Sequence, residues 1–142
     1  MASLRNTIAI DAPPERVWEV LGDLAATSEW LPGTLDARME GAIRVCRMAD
    51  GSDVREEISD YSPERRTYRY RHLEIPLPVR ESSGTFAVEP ADGGAVVVLE
   101  SEFEPLEPAA GGDVEAMFDG ALKQSLESLR QRVEHGARWD AA

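Results

Sequence analysis

The hydrophobic pattern along the chain changes period twice, and the two changes divide it into helix and sheet. Ile8 and Ile10 alternate with polar or small neighbours, the period-two pattern of a half-buried strand. Past Pro13-Pro14 the period becomes helical: Val17, Val20, Leu21 and Leu24 fall on one stripe, with Trp18 beside them. Asp11 is placed to cap the free N–H groups of this helix. Pro13 and Pro14 suit its first turn, where no N–H partner is needed, and Glu15 suits the positive end of its dipole. A second short helix is expected over residues 25–31, with Thr27 or Ser28 as its cap and Pro32-Gly33 as its stop.

From Thr34 to Leu106 the period of two returns. Strands are expected over residues 34–39, 42–48, 53–61, 66–75, 79–89 and 95–103. Turn residues separate them: Glu40-Gly41, Asp50-Gly51, Ser62-Pro63-Glu64, Pro76-Leu77-Pro78 and Asp92-Gly93-Gly94. These connections are too short for parallel crossovers, so consecutive strands pair antiparallel. Glu100, Glu102 and Glu104 repeat with period two, which marks a solvated strand face and not a metal site.

Pro105, Pro108, Gly111 and Gly112 form a loop before the last element. There Val114, Met117, Phe118, Ala121, Leu122, Leu126, Leu129 and Val133 make one apolar stripe opposite Glu115, Asp119, Lys123, Glu127, Arg130 and Glu134. This is a long amphipathic helix with Gly136 as its stop. Residues 135–142 are expected to fray. The order predicts an α+β fold in one domain over residues 1–142. A seven-stranded curved antiparallel sheet wraps a long C-terminal helix, with two short helices after the first strand. Such a sheet bends around its helix and leaves the core between them partly hollow, a natural place for a small molecule.

Composition narrows the partners. The chain has 142 residues and a net charge of −12, with no basic cluster longer than Arg65-Arg66. Nucleic acids and anionic membrane surfaces are therefore disfavoured. Cys46 is the sole cysteine and His72 and His135 are the only histidines, so no internal disulfide and no metal or other cofactor is expected. Cys46 reads as a small packing residue. No apolar run approaches the ~20 residues of a membrane span, and the N-terminus carries no apolar signal core, so a cytoplasmic monomer or homodimer is expected.

The segment Ile10-Asp11-Ala12-Pro13-Pro14-Glu15-Arg16-Val17-Trp18 resembles the START-like, birch-pollen-allergen-like (SRPBCC) superfamily. So do Trp30-Leu31-Pro32-Gly33, the strand around Tyr68-Arg69-Tyr70, the Pro76-Leu77-Pro78 loop and the final helix. The resemblance is to its bacterial polyketide cyclase/dehydrase and lipid-transport branch and covers nearly the whole chain. It implies a helix-grip fold with a cavity between the concave sheet and the last helix. It further implies a small hydrophobic ligand: a lipid, quinone or polyketide. A polyketide aromatase/cyclase and a co-chaperone-like interaction protein are the alternatives.

Alternation then selects the residues facing that cavity. Tyr68, Tyr70, His72 and Glu74 share one strand face, with Arg69, Arg71, Leu73 and Ile75 on the other. On the preceding strand Val54, Glu56, Ile58 and Asp60 share a face. On the last strand Ala95, Val97, Leu99, Ser101 and Phe103 point inward. Tyr70, His72 and Glu56 are the candidate acid–base groups, since a phenol donates at the tip of an apolar ring and an imidazole exchanges protons near neutral pH. Trp30, Pro32, Tyr68, Tyr70, Leu77, Phe86, Leu99, Ser101, Met117, Phe118 and Ala121 are the candidate ligand contacts. No carboxylate that would orient His72 is visible by spacing.

Overall fold

The computed structural model describes residues 1–107 and 111–140. Pro108, assigned above to the loop before the last helix, and residues 141–142 of the tail lie outside the described residues. The chain opens with β1 (Ala2–Ile10), α1 (Pro14–Leu21) and a 3₁₀ helix (Leu24–Glu29). Six strands follow: β2 (Thr34–Glu40), β3 (Ile43–Met48), β4 (Asp53–Ser62), β5 (Thr67–Glu74), β6 (Val79–Ala91) and β7 (Gly94–Pro105). The last element is α2 (Gly111–His135). The strands form one seven-stranded antiparallel sheet of order β1-β7-β6-β5-β4-β3-β2. Only β1 is out of sequence order, and it closes against β7 from Ala2↔Phe103 to Ile10↔Ala95.

α2 packs against β1, β7 and α1. Its Leu126, Leu129 and Val133 join Ile10, Val17, Leu21, Trp30, Tyr68, Phe86, Val88, Val97 and Leu99 in the main core. Phe118 and Val114 form a second cluster with Phe103. The Phe118 and Phe103 rings stack at 4.6 Å. None of the described helices is long and apolar enough to cross a membrane.

Four details differ from the sequence expectation. Pro14 stands at the first helical position of α1, but no side chain caps the helix. Asp11 instead donates its backbone N–H to Glu134 Oε2 at 2.9 Å, tying the start of the chain to α2. The second helix is a 3₁₀ turn ending at Glu29. The tail does not fray at once: Gly136 takes φ +68° and bonds Arg132 O at 2.9 Å, the left-handed stop of a helix. The Trp139 indole then donates to Ser28 O at 2.9 Å and Thr34 O at 3.1 Å.

The fourth difference is a bulge. The β4–β5 register slips between Arg55↔Glu74 and Glu56↔His72, so β5 has an extra residue there. Glu74 is consequently exposed and Ile75 turns inward, the reverse of strict alternation. A second slip between Ser59 and Ser62, with Asp60 at φ +51°, leaves Asp60 exposed as well.

Gly84 of β6 is where a side chain would obstruct the core. A Cβ there would stand 2.5 Å from Tyr70 Cζ, because the Tyr70 ring crosses the strand at that point. Gly84→Ala is expected to lower stability by about 1–3 kcal/mol in urea denaturation, and adding Tyr70→Leu in the same chain should recover part of the loss.

Candidate functional site

A row of polar side chains crosses the concave face, one from each of four adjacent strands. Arg44 on β3 lies opposite Glu56 on β4, and Glu56 lies opposite His72 on β5. Directly opposed residues of an antiparallel pair project to the same face within contact distance. Arg44 Nε donates to Glu56 Oε1 at 2.7 Å. His72 Nε2 lies 3.4 Å from Glu56 Oε2, and its Nδ1 is 2.9 Å from Ser82 Oγ on β6. Arg44 also donates through Nη1 to Thr27 Oγ1 at 2.8 Å, and its guanidinium sits 5.6 Å from the centre of the Tyr68 ring. The row thus runs from the 3₁₀ helix to β6.

Arg44 and Glu56 are 3% and 4% exposed, so each charge depends on the other. Burial alone would raise the Glu56 pKa, but Arg44 and the His72 hydrogen bond outweigh it and hold the carboxyl at about 2. For Arg44, burial works against the charge, yet Tyr68 and Glu56 more than offset it and the guanidinium is held more firmly protonated than usual. Burial and the Glu56 charge push the Tyr70 phenol upward. Burial raises the Cys46 thiol to about 11, which makes it a poor nucleophile at neutral pH.

Two chambers adjoin this row. The outer one, about 230 Å³, is walled by Leu31, Pro32, Cys46, Met48, Val54, Ile75, Leu77, Met117, Phe118, Ala121 and Leu122, with Glu56, His72 and Ser125 as its polar members. The inner one, about 120 Å³, is walled by Thr27, Trp30, Arg44, Tyr70, Phe86 and Leu99, and shares Leu31, Glu56, His72, Leu122 and Ser125 with the outer. Met117, 42% exposed, stands at the outer rim.

The family model for polyketide cyclase / dehydrase and lipid transport matches residues 1–134. The chain belongs to this family. Solved structures share its fold. XoxI from Bacillus cereus superposes with a TM-score of 0.87 at 24% identity, over 95% of this chain and 97% of that one. An aromatase/cyclase from a Streptomyces species, Zhui, gives 0.73 at 23% identity, over 95% and 97%. A START superfamily protein from Mycobacterium smegmatis gives 0.79 at 14%, over 95% and 99%. No curated protein matches the chain in sequence.

In this member of the polyketide cyclase/dehydrase and lipid transport family, the chamber walls sort the expected residues. Pro32, Leu77, Met117, Phe118 and Ala121 lie on the outer wall, Trp30, Tyr70, Phe86 and Leu99 on the inner, and Glu56 and His72 on both. Tyr68 and Ser101, also expected as ligand contacts, lie on neither wall. Tyr68 is 0% exposed, walled off by Trp18, Tyr61 and Phe86. Ser101 is buried in the β6–β7 ladder opposite Gly84. The carboxylate beside His72 is Glu56, brought there by the β4–β5 register and not by any spacing along the chain.

Arg44 was missed among the expected site residues. A signal existed: Arg44 shares its strand face with Cys46 and Met48, so a charge at that position faces inward and needs a buried counterion. Thr27 and Leu31 also lie on the walls.

The sign of the Glu56 shift sets a pH dependence. A carboxyl held at about 2 against an ordinary 4.5 contributes stability above pH 4.5, and that contribution is lost as pH falls through about 2. Wild-type protein should therefore lose stability between these limits. Glu56→Gln should lack this component and, with Arg44 left buried without its counterion, be less stable at neutral pH by roughly 3–5 kcal/mol. Chemical denaturation of both proteins across that pH range checks it.

Proposed function

We propose that the chain, acting as a single START-like unit over residues 1–142, binds a small hydrophobic molecule between its sheet and α2. The observation that carries this reading is the outer chamber. Its wall is built of aliphatic, thioether and aromatic side chains, and Glu56 and His72, which border it, have partners within the protein. An apolar hollow whose polar groups are already paired favours holding a ligand over reacting with it. The hollow itself supports binding over the co-chaperone-like alternative, for which a filled core would be the natural design.

One observation favours aromatase/cyclase chemistry as a second reading. His72 borders both chambers and lies between Glu56 and Ser82. Glu56, held at about 2, is too weak a base to take a proton efficiently at neutral pH, and the Tyr70 phenol is a weaker acid than usual. Proton transfer would then fall to His72. His72→Ala should abolish turnover of a poly-β-ketone thioester on this reading; an unchanged rate removes it.

The binding reading is tested with N-phenylnaphthylamine, a neutral probe that brightens in apolar surroundings. Wild-type protein should enhance its fluorescence. Ala121→Trp places an indole over the outer chamber from an exposed helix position, so it should abolish the enhancement while leaving Tm unchanged. Equal enhancement by both proteins would place the probe elsewhere.

A further inference from the structure

The chain carries 27 acidic residues against 15 lysines and arginines, so a cation on this surface finds a carboxylate easily. Among the described residues only Arg65 and Arg69 have none within 4.0 Å. Arg65 is exposed in a turn, whereas Arg69 is half-buried on β5, on the outer face of the sheet. Its guanidinium reaches over β6 and donates through Nη1 to Thr85 Oγ1 at 3.3 Å and through Nη2 to Ser83 Oγ at 3.1 Å. Both acceptors are neutral, and a guanidinium has five N–H donors. A half-buried cation that meets only uncharged oxygens is short of a counterion.

Arg69 lines a hollow of about 370 Å³ with Arg71, Arg80, Ser83, Glu81 and Glu102. Arg71 pairs with Glu57 at 3.3 Å and Arg80 with Glu104 at 3.9 Å, but both pairs are exposed and therefore weak, so either guanidinium is free to turn to another anion. Ser83 Oγ accepts from Arg69 and keeps its own proton to donate. The donors converge from two strands: Arg69 and Arg71 share a face of β5, and Ser83 lies opposite Arg71 on β6. A carboxylate presents its oxygens in one plane. A phosphate presents three, in three directions, with up to two charges near neutral pH. Glu81 and Glu102 share the hollow, so only an anion that gathers several charge-assisted bonds at once offsets their repulsion. We infer that this hollow binds a phosphate group, free or carried on an ester. The site is independent of the reading of the chambers as a ligand site. His72 alone lines both this hollow and the two chambers, at the point where the β5–β6 ladder ends with Arg71↔Ser83.

Calorimetric titration with inorganic phosphate, and with acetate at equal ionic strength, tests this. Phosphate should bind about tenfold more tightly than acetate. Arg69→Gln should weaken phosphate about tenfold, and Ser83→Ala, which changes no charge, about threefold. Arg65→Gln removes the other cation that lacks a carboxylate and should leave the affinity unchanged. Should Arg69→Gln fail to fold, Ser83→Ala and Arg71→Gln carry the test. Glycerol 3-phosphate and phosphatidylcholine vesicles containing phosphatidic acid separate the sources: loss of binding in Arg69→Gln for the first assigns a soluble ester, and for the second a lipid headgroup.

Phosphate binding no tighter than acetate overturns the inference. So does an unchanged phosphate affinity in Arg69→Gln, or an equal loss in Arg69→Gln and Arg65→Gln, since diffuse charge and not a built site would then attract the anion. None of these outcomes touches the N-phenylnaphthylamine result, which reports on the chambers alone.

Discussion

One helix is too narrow for the sheet it covers. Seven strands spaced about 4.8 Å apart present a face roughly 30 Å wide, and a helix with its side chains is about 10 Å across. α2 settles toward one side, on β1 and β7, where Phe103, Val97 and Leu99 meet its apolar stripe. The half of the concave face made by β3, β4 and β5 is left to be covered by something else. The 3₁₀ helix and the Leu31-Pro32 turn do this only in part. The chambers are what remains, so the hollow follows from the proportions of the fold before any particular residue is chosen.

What fixes the partial cover is the buried ion row. Arg44 reaches from β3 past Glu56 to Thr27, and Thr27 in turn donates to Leu24 O at 2.9 Å, inside the 3₁₀ helix. From the other side Ser128 of α2 donates to Trp30 O at 2.5 Å, Arg132 pairs with Glu29, and Trp139 bonds Ser28 O and Thr34 O. The segment carrying Trp30, Leu31 and Pro32 is therefore held from the sheet, from the helix and from the tail. A wall secured at so many points is pre-organised, which lowers the ordering cost of binding. The same bonds explain why a charged pair is kept in the core, where an apolar pair of similar volume is often as stable: here it also positions the cavity wall.

Much of this architecture is readable without coordinates. The period change at Pro13-Pro14, the hairpin signals and the long stripe from Val114 to Val133 specify the elements, and short loops force antiparallel pairing. Alternation also finds Tyr70, His72, Glu56, Phe86 and Leu99, because period two is obeyed wherever a strand runs without a bulge. It fails at Glu74, Ile75 and Asp60, where one extra residue reverses the faces. It fails differently at Tyr68, which faces inward as expected but is sealed off by neighbouring rings.

The sequence by itself determined the α+β order, the antiparallel pairing and the side of each regular strand, since these depend on local periodicity and turn chemistry. The tertiary structure alone decided that Glu56 meets both Arg44 and His72, that Trp139 is anchored, and that the Trp30 indole N–H is buried without a hydrogen-bond partner among the described residues. Those facts depend on cross-strand register and on how far one helix reaches over a wide sheet. Neither quantity is encoded in the spacing of residues along a single element.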